Sequence, residues 1–247
     1  MMSGLPEAEV VETKKWEPNR PLLVLGFIGP GLVGPIAVSH LVKELGMEEV
    51  AYLRSRHLPP VAVFLEGRLY HPFRIYSTGD GRLLASFSEV PIPLEGLYPI
   101  TSCLLEWAEG KGVREVVVLE GLPVEGLPAE RPRYCVAEEE RCRSLEEKGV
   151  KVASQGIITG MAGAVLNECL TRKLVGTALL TPAAVFLPDA EGAAVLLEAL
   201  RDAFGVEVDV SPLREQGKEM ARRVEEMISA YRNLRARERT GLESIYG

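Results

Sequence analysis

Continuous apolar runs that end in turn residues are the feature of this sequence that most limits its fold. They lie at residues 21–27 and 116–119, and residues 174–180 are predicted to form a further strand. A strand that is apolar on both faces has to be covered on both faces, as the strands of a parallel sheet are. Segments with helical spacing separate these runs, so that strands and helices alternate along the chain. We therefore predict an α/β fold whose main sheet is largely parallel.

Helices are predicted where apolar residues recur at every third or fourth position. One such stretch covers residues 32–46 and ends at a glycine, a residue that often terminates helices. Asp189 is suited to cap the N-terminus of another predicted helix, residues 190–204. Residues 61–75 are rich in β-branched and aromatic side chains, and they predict an antiparallel hairpin with its turn at Glu66-Gly67.

Length and composition divide the chain into one core and terminal segments. The 247 residues, 47% of them hydrophobic, suit a single large domain, and we expect its α/β core to span residues 21–210. Residues 1–20 are polar and acidic and are predicted to be a flexible arm. Residues 211–239 are predicted to form a long C-terminal helix, followed by a flexible tail at residues 240–247.

The predicted C-terminal helix has a seam of mostly apolar residues at alternating steps of four and three. The seam positions are Leu213, Gly217, Met220, Val224, Met227, Tyr231 and Leu234. This is the a/d pattern of a helix that packs along one stripe, and we expect the stripe to be buried. The spacing does not name the surface that covers it, so the parent domain and a neighbouring subunit both stay open.

Charge and hydropathy argue against several classes of function. The net charge is −7, and outside the last helix there is no basic cluster of the kind that binds nucleic acid. No apolar run reaches the roughly 18 residues that a membrane span needs. The N-terminal residues do not have the pattern of a signal peptide, so we expect a cytoplasmic protein with four reduced cysteines. Scarce Asn and Gln beside abundant Arg and Glu indicate a heat-adapted source.

Catalytic and metal-binding sets are not predicted. The cysteines do not follow C-x-x-C spacing, and the chain has three histidines, so a zinc site is not expected. Ser39 and His40 are adjacent on a helix and point to different sides, which prevents a nucleophile–base pair. Cys169 lies on an apolar helix face and is interpreted as a small core residue. We therefore expect a protein that is not an enzyme.

Two glycine-rich turns have the composition of anion-binding loops. Residues 29–34 match G-x-G-x-x-G between a strand and a helix, the pattern of a dinucleotide site. However, Pro30 and Pro35 lack amide hydrogens, and residues 53–56 offer arginines, which suit NADP, instead of an acid for the ribose. We interpret the segment as a tight turn and predict no cofactor. The glycines of residues 156–163 are interpreted as allowing a helix to approach the sheet.

The last three residues, Ile245-Tyr246-Gly247, have the order hydrophobic, tyrosine, any residue. At a C-terminus this is the docking signature of proteasome regulators, and we predict that these three residues bind a partner. In an extended tail the tyrosine ring adds buried area and its hydroxyl adds a hydrogen bond. The terminal carboxylate can pair with a lysine or with backbone amides. One tail binds weakly, and several tails on one oligomer gain avidity.

The order of several motifs resembles the archaeal proteasome assembly chaperone family. The resembling segments are Gly26–Gly34 with Ala37 and Leu41, Arg133–Ala137, Gly156–Gly163, Thr181-Pro182, Pro188-Asp189 and Ala193–Leu197. The resemblance spans residues 21–204. It implies a three-layer α/β/α sandwich similar to purine nucleoside phosphorylase, without the activity of that enzyme.

The resemblance also implies homo-oligomers and a partner. The family includes a homotetrameric type whose C-terminal tail binds the α-ring of the proteasome core particle, and that type helps to assemble or open the particle without ATP. Ile245, Tyr246 and Gly247 match that tail. We therefore predict a proteasome assembly chaperone or ATP-independent activator. The alternative is a nucleotide-binding protein or enzyme, ATP-grasp-like or NADP-dependent, that uses the Gly29–Gly34 loop.

Overall fold

Strands and helices alternate in this computed structural model, which describes residues 6–126, 128–219 and 222. The strands are β1 (Glu9–Glu12), β2 (Leu22–Gly26), β3 (Glu48–Arg54), β4 (Val63–Leu65), β5 (Arg68–Tyr70), β6 (Phe73–Ser77), β7 (Leu83–Ser88), β8 (Glu115–Val124), β9 (Tyr134–Val136), β10 (Lys151–Val152) and β11 (Val175–Ala184). The helices are α1 (Val33–Glu44), α2 (Leu94–Gly110), α3 (Glu139–Glu146), α4 (Gly160–Arg172) and α5 (Ala190–Phe204). A 3₁₀ turn, Pro30–Leu32, precedes α1, and residues 211–219 are helical.

One mixed sheet contains nine of these strands in the order β1-β3-β6-β7-β2-β8-β11-β9-β10. The central strands β7, β2, β8 and β11 run parallel. The flanking pairs β1–β3, β3–β6, β6–β7 and β11–β9 are antiparallel, while β10 is parallel to β9. The prediction of a largely parallel sheet is therefore right for the centre. Antiparallel pairing extends beyond the predicted antiparallel segment at residues 61–75 and includes β1, β3 and β9. Short connections, such as the turn between β6 and β7, allow antiparallel pairing there.

The predicted hairpin forms in part. Strands β4 and β5 pair with each other, from Val63 opposite Tyr70 to Leu65 opposite Arg68. The turn between them is Glu66-Gly67, and both residues have positive φ angles of 50° and 77°, the conformation that two-residue hairpin turns favour. The remaining part of the predicted hairpin belongs to β6 in the main sheet.

Helices cover both faces of the sheet, which confirms the predicted three-layer α/β/α sandwich. Helices α1 and α5 pack together on one face, and α2 and α4 pack together on the other. Side chains of the central strands alternate between these layers. Val24, Val117 and Leu179 belong to the core under α1 and α5, whereas Leu25 and Val118 belong to the core under α2 and α4.

The N-terminal segment differs from the predicted flexible arm at residues 1–20. Strand β1 pairs with β3, from Glu9 opposite Arg54 to Glu12 opposite Ala51. The ring of Trp16 lies 6.0 Å from a tryptophan ring of α2. The prediction is therefore wrong for this part of the arm. A four-residue edge strand depends on pairing with its neighbour, and its own sequence has too few apolar residues to reveal it.

The described start of the C-terminal helix packs on its own domain. Leu213, the first seam position, is 2% exposed and belongs to the core under α1 and α5. A Cβ atom at Gly217, the second position, would lie 3.0 Å from the Cβ of Glu191 in α5. The parent domain thus covers these two positions. The later seam positions lie outside the described residues, as does the predicted tail at residues 240–247.

Gly34→Ala is expected to lower the free energy of unfolding by about 1–3 kcal/mol. Its new methyl group would lie 2.6 Å from the carbonyl oxygen of Leu119, a backbone atom of the central strand β8. Gly156→Ala is the matched control, because a methyl group there meets no atom within 4 Å. We expect the control to change the free energy of unfolding by less than about 0.5 kcal/mol. Guanidinium chloride unfolding measures both, and equal losses would contradict the steric explanation.

Candidate functional site

Both glycine-rich turns lie at the edge of the sheet where the parallel strands β2, β8 and β11 end. The first turn, residues 29–34, connects β2 to α1, and the second, residues 156–163, leads into α4. They line a cleft of about 200 Å³ together with Glu120 and Gly121 of β8. In α/β sheets, the carboxyl ends of the strands are the usual place for ligands. The structure thus brings together two turns that are far apart in sequence.

Glu120 supplies the carboxyl group of this cleft. It lies in the second half of β8, directly after the apolar run at residues 116–119, and is 9% exposed. The backbone N–H of Gly121 donates a 3.0 Å hydrogen bond to Oε1 of Glu120. A Cβ atom at Gly29 would lie 2.1 Å from the same oxygen, so the glycine makes room for the carboxyl group. Glu120 is not among the residues predicted from the sequence, although an acid directly after the apolar run at residues 116–119 is a signal for it.

Burial controls the charge of Glu120. Desolvation raises the pKa of this carboxyl group to about 7, and the hydrogen bond from Gly121 opposes the shift. A carboxyl group with this pKa is partly protonated and partly charged at neutral pH. Carboxyl groups whose pKa is raised by burial are common at functional sites, where the surroundings set the charge state that the site needs.

The 29–34 turn is poorly equipped to bind a phosphate group. Pro30 and Pro35 have no N–H, and the N–H groups of Leu32 and Val33 donate to carbonyl oxygens within the turn. The carboxyl group of Glu120 lies against the start of the turn, where it repels an anion when it is charged. These features support the interpretation as a tight strand-to-helix turn.

Asp189 ties this turn to α5. Its backbone N–H donates to the carbonyl oxygen of Gly31 at 2.8 Å, and its Oδ1 accepts from the N–H of Gly192 at 2.9 Å. The second contact confirms the predicted N-cap of α5. Oδ2 of Asp189 also pairs with Arg131 at 2.7 Å in a largely buried ion pair. The backbone of Asp189 therefore holds the turn, and its side chain, which does not line the cleft, holds the start of α5 and Arg131.

The glycines of the 156–163 turn do not lie against the sheet, although the sequence predicts that they do. A Cβ atom at Gly163 would lie 2.4 Å from the carbonyl oxygen of Ile158, which explains a glycine in the first turn of α4. Gly156 and Gly160 have open space around them, so the predicted close approach to the sheet is wrong for them. That approach occurs at Gly176 of β11, where a Cβ atom would lie 2.9 Å from a side chain of α4.

The remaining titratable candidates lie away from the cleft. Nε2 of His57 pairs with Glu7 at 2.6 Å, the ring of His71 stacks on Tyr52, and His40 contacts a backbone carbonyl oxygen. The cysteines are free thiols in the structure. Cys169 is buried, and desolvation raises its pKa to about 12, which agrees with its interpretation as a core residue.

Metal-binding clusters and membrane-spanning helices are both absent from residues 6–126, 128–219 and 222. In these ranges, no three His, Cys, Asp or Glu side chains come together in a way that could hold a metal ion. No helix of the same ranges is long and apolar enough to cross a membrane. The predicted partner-binding residues Ile245, Tyr246 and Gly247 lie outside the described residues.

The chain matches a known protein family over most of its length. The sequence model of the PAC2 family matches residues 23–228. The match includes both glycine-rich turns and Glu120, and it ends before Ile245. The family match therefore concerns the fold and the cleft, and it does not extend to the last three residues.

Solved structures with the same fold include three archaeal proteins. A protein of unknown function from Thermoplasma acidophilum is 37% identical, with 90% of this chain and 91% of that chain covered and a TM-score of 0.76. Pyrococcus furiosus PbaA, an archaeal homologue of proteasome-assembly chaperone, is 27% identical, with coverage of 97% and 100% and a TM-score of 0.81. Pyrococcus furiosus PbaB, an archaeal proteasome activator, is 23% identical, with coverage of 90% and 98% and a TM-score of 0.81. The likeness to PbaB shows the fold alone.

Glu120→Gln is expected to change how stability depends on pH. Folding raises the pKa of Glu120 from 4.5 to about 7, so its ionisation destabilises the folded state as the pH rises through this window. Glutamine does not ionise, so the difference in free energy of unfolding between the variant and the unaltered protein should change with pH. From pH 5 to pH 8 it should grow by about 2 kcal/mol in favour of the variant. Denaturant unfolding at both pH values measures the gain. A difference that stays constant with pH would contradict the assignment.

ATP, NAD and NADP are expected not to bind the 29–34 turn, because its prolines remove donors and Glu120 lies beside it. Isothermal titration of the full-length protein with each nucleotide should give no saturable heat. Micromolar affinity for any of them, or a phosphate group on the amides of residues 31–34, would contradict this expectation.

Proposed function

The chain belongs to the PAC2 family, and from this relationship we propose that it is a proteasome assembly chaperone or an ATP-independent proteasome activator. The observation that carries the proposal is the likeness to PbaA over 97% of this chain and the whole of that chain, at 27% identity. PbaA is a homologue of proteasome-assembly chaperone, and that role is the one we propose here. A cytoplasmic location is part of the proposal.

Ile245-Tyr246-Gly247 is the docking element in this proposal, and the α-ring of the proteasome core particle is its partner. In a protein that ends at Gly247, the carboxylate lies one residue beyond the tyrosine. A pocket between α-subunits can then receive the ring, hydrogen-bond the hydroxyl and pair a lysine with the carboxylate. The order of these three groups makes the fit depend on the position of the terminus as well as on the side chains.

Several chains act together in the proposed complex, as a homo-oligomer such as a tetramer. One short tail has little surface to bury, and linked tails convert later contacts into intramolecular ones.

Protein binding, without catalysis, is the proposed activity. Among the residues that line the cleft, Glu120 is the one titratable side chain. A nucleophile–base pair or an acid–base pair requires two such groups within hydrogen-bond reach. The surroundings of Glu120 therefore support a binding role and give no support to the nucleotide-dependent enzyme considered as the alternative.

Tyr246→Ala is expected to weaken binding to proteasome core particles by about 30-fold or more per tail, because the ring and the hydroxyl are both lost. Tyr246→Phe keeps the ring and should cost about fivefold. One residue added after Gly247 should also weaken binding, since it moves the carboxylate and leaves every side chain intact. Co-sedimentation with purified core particles measures all three.

Tyr98→Ala is the matched control, because Tyr98 is another exposed tyrosine and lies on α2, far from the tail in sequence. It should bind as the unaltered protein does. Full binding by both Tyr246→Ala and the extended chain would contradict the docking role of the tail.

A further inference from the structure

The Glu120 cleft has one acidic group in a wall that is otherwise uncharged. The wall comes from residues 28–30, 121–123, 157–160 and 180, and none of these carries a titratable side chain. Most of its side chains are isoleucine, leucine or proline. A second hollow of about 140 Å³ shares Ile28 and Gly160 with the cleft and is lined mainly by apolar residues. The cleft therefore has a polar end at Glu120, and a mainly apolar hollow adjoins it.

One oxygen of Glu120 is available to a ligand. Oε1 accepts the N–H of Gly121, whereas no described residue donates a hydrogen bond to Oε2. Arg131 does not line the cleft, and its Nη1 bonds to Asp189 and to the carbonyl oxygen of Pro182. A buried carboxylate without a counter-ion is costly, and a cation beside Oε2 would remove most of that cost.

We propose that the Glu120 cleft binds a cationic nitrogen on a short, unbranched apolar chain, such as an alkylammonium ion. The ammonium group contacts Oε2 of Glu120, and the alkyl chain lies on the apolar wall toward the second hollow. The volume of about 200 Å³ is below the usual range for drug-sized ligands, so the ligand is small. The same chemistry occurs in a free amine and in a lysine side chain. The inference does not depend on the role of the tail.

Other ligand classes fit the cleft less well. An anion would meet the carboxylate of Glu120 and a turn with few free N–H groups. A calcium ion takes six to eight oxygen ligands, and the cleft offers one carboxylate. A neutral apolar molecule would leave Oε2 without a partner. An ammonium group satisfies this oxygen and uses the apolar wall as well.

Binding should weaken when Glu120 is protonated. The pKa of Glu120 is about 7, and an alkylammonium ion keeps its charge well above that pH. The neighbouring segments bring no other titratable group into the cleft, and the charged pair Arg131–Asp189 lies behind the 29–34 turn. From pH 8 to pH 6 the ionised fraction of Glu120 falls about tenfold, so the affinity should fall about tenfold as well.

Isothermal titration of the full-length protein with n-butylammonium chloride at pH 8 is the test. We expect a dissociation constant on the order of 1 mM, since the ligand has few atoms. n-Butanol, which has the same chain without the charge, should bind at least tenfold more weakly. Glu120→Gln should lose the affinity for butylammonium by a similar factor. The unaltered protein at pH 6 provides a second test that needs no variant.

A second titration distinguishes the two sources of the ammonium group. Nα-acetyl-lysine methylamide carries the same group on a peptide unit. If this compound binds and butylammonium also binds, each in its own titration, the ligand is a lysine side chain of another protein. Binding of butylammonium alone supports a free amine. The proposal is overturned if neither compound binds at tens of millimolar, if n-butanol binds equally well, or if neither Glu120→Gln nor pH 6 weakens binding.

Discussion

The fold depends on a close backbone contact between β2, β8 and the start of α1. A Cβ atom at Gly26 would lie 2.2 Å from the carbonyl oxygen of Gly34, and one at Gly34 would lie 2.6 Å from that of Leu119. A Cβ atom at Gly121 would likewise lie 2.5 Å from the carbonyl oxygen of Pro30. Glycines on both sides of the turn thus let the helix start directly on the central strands. This contact places the 29–34 turn against residues 119–121 of β8 and encloses Glu120.

The sequence predicts the elements that carry their own pattern, and it fails for those that depend on a partner. The central strands are predicted from continuous apolar runs, and α5 from its spacing and the cap at Asp189. Strand β1 and the antiparallel pairing of β3 and β9 are not predicted, because pairing with a neighbour stabilises these strands more than their own residues do. Glu120 is not predicted for a related reason. Its burial requires segments near residues 29, 121 and 158, which only the folded chain brings together.

The part of the chain that matches the family and the three C-terminal residues proposed for docking do not overlap. The family match at residues 23–228 covers the sandwich and the cleft, whereas Ile245-Tyr246-Gly247 lies beyond it. In the function that we propose, the sandwich acts as a scaffold that sets the number and spacing of the tails. The cleft is then available for a separate small ligand, and binding at Glu120 needs no change in the docking contacts. This division follows the general rule that sites are added to folds and are not implied by them.

The two edge strands limit how this protein can associate with itself. Strand β1 has four residues with a glutamate at each end, and β10 has the two residues Lys151 and Val152. An extended strand with unpaired N–H and C=O groups would be a template for fibre growth, and short or charged edges interrupt such a template. Both edges of the nine-stranded sheet are therefore poor templates for edge-to-edge pairing with another copy of the chain.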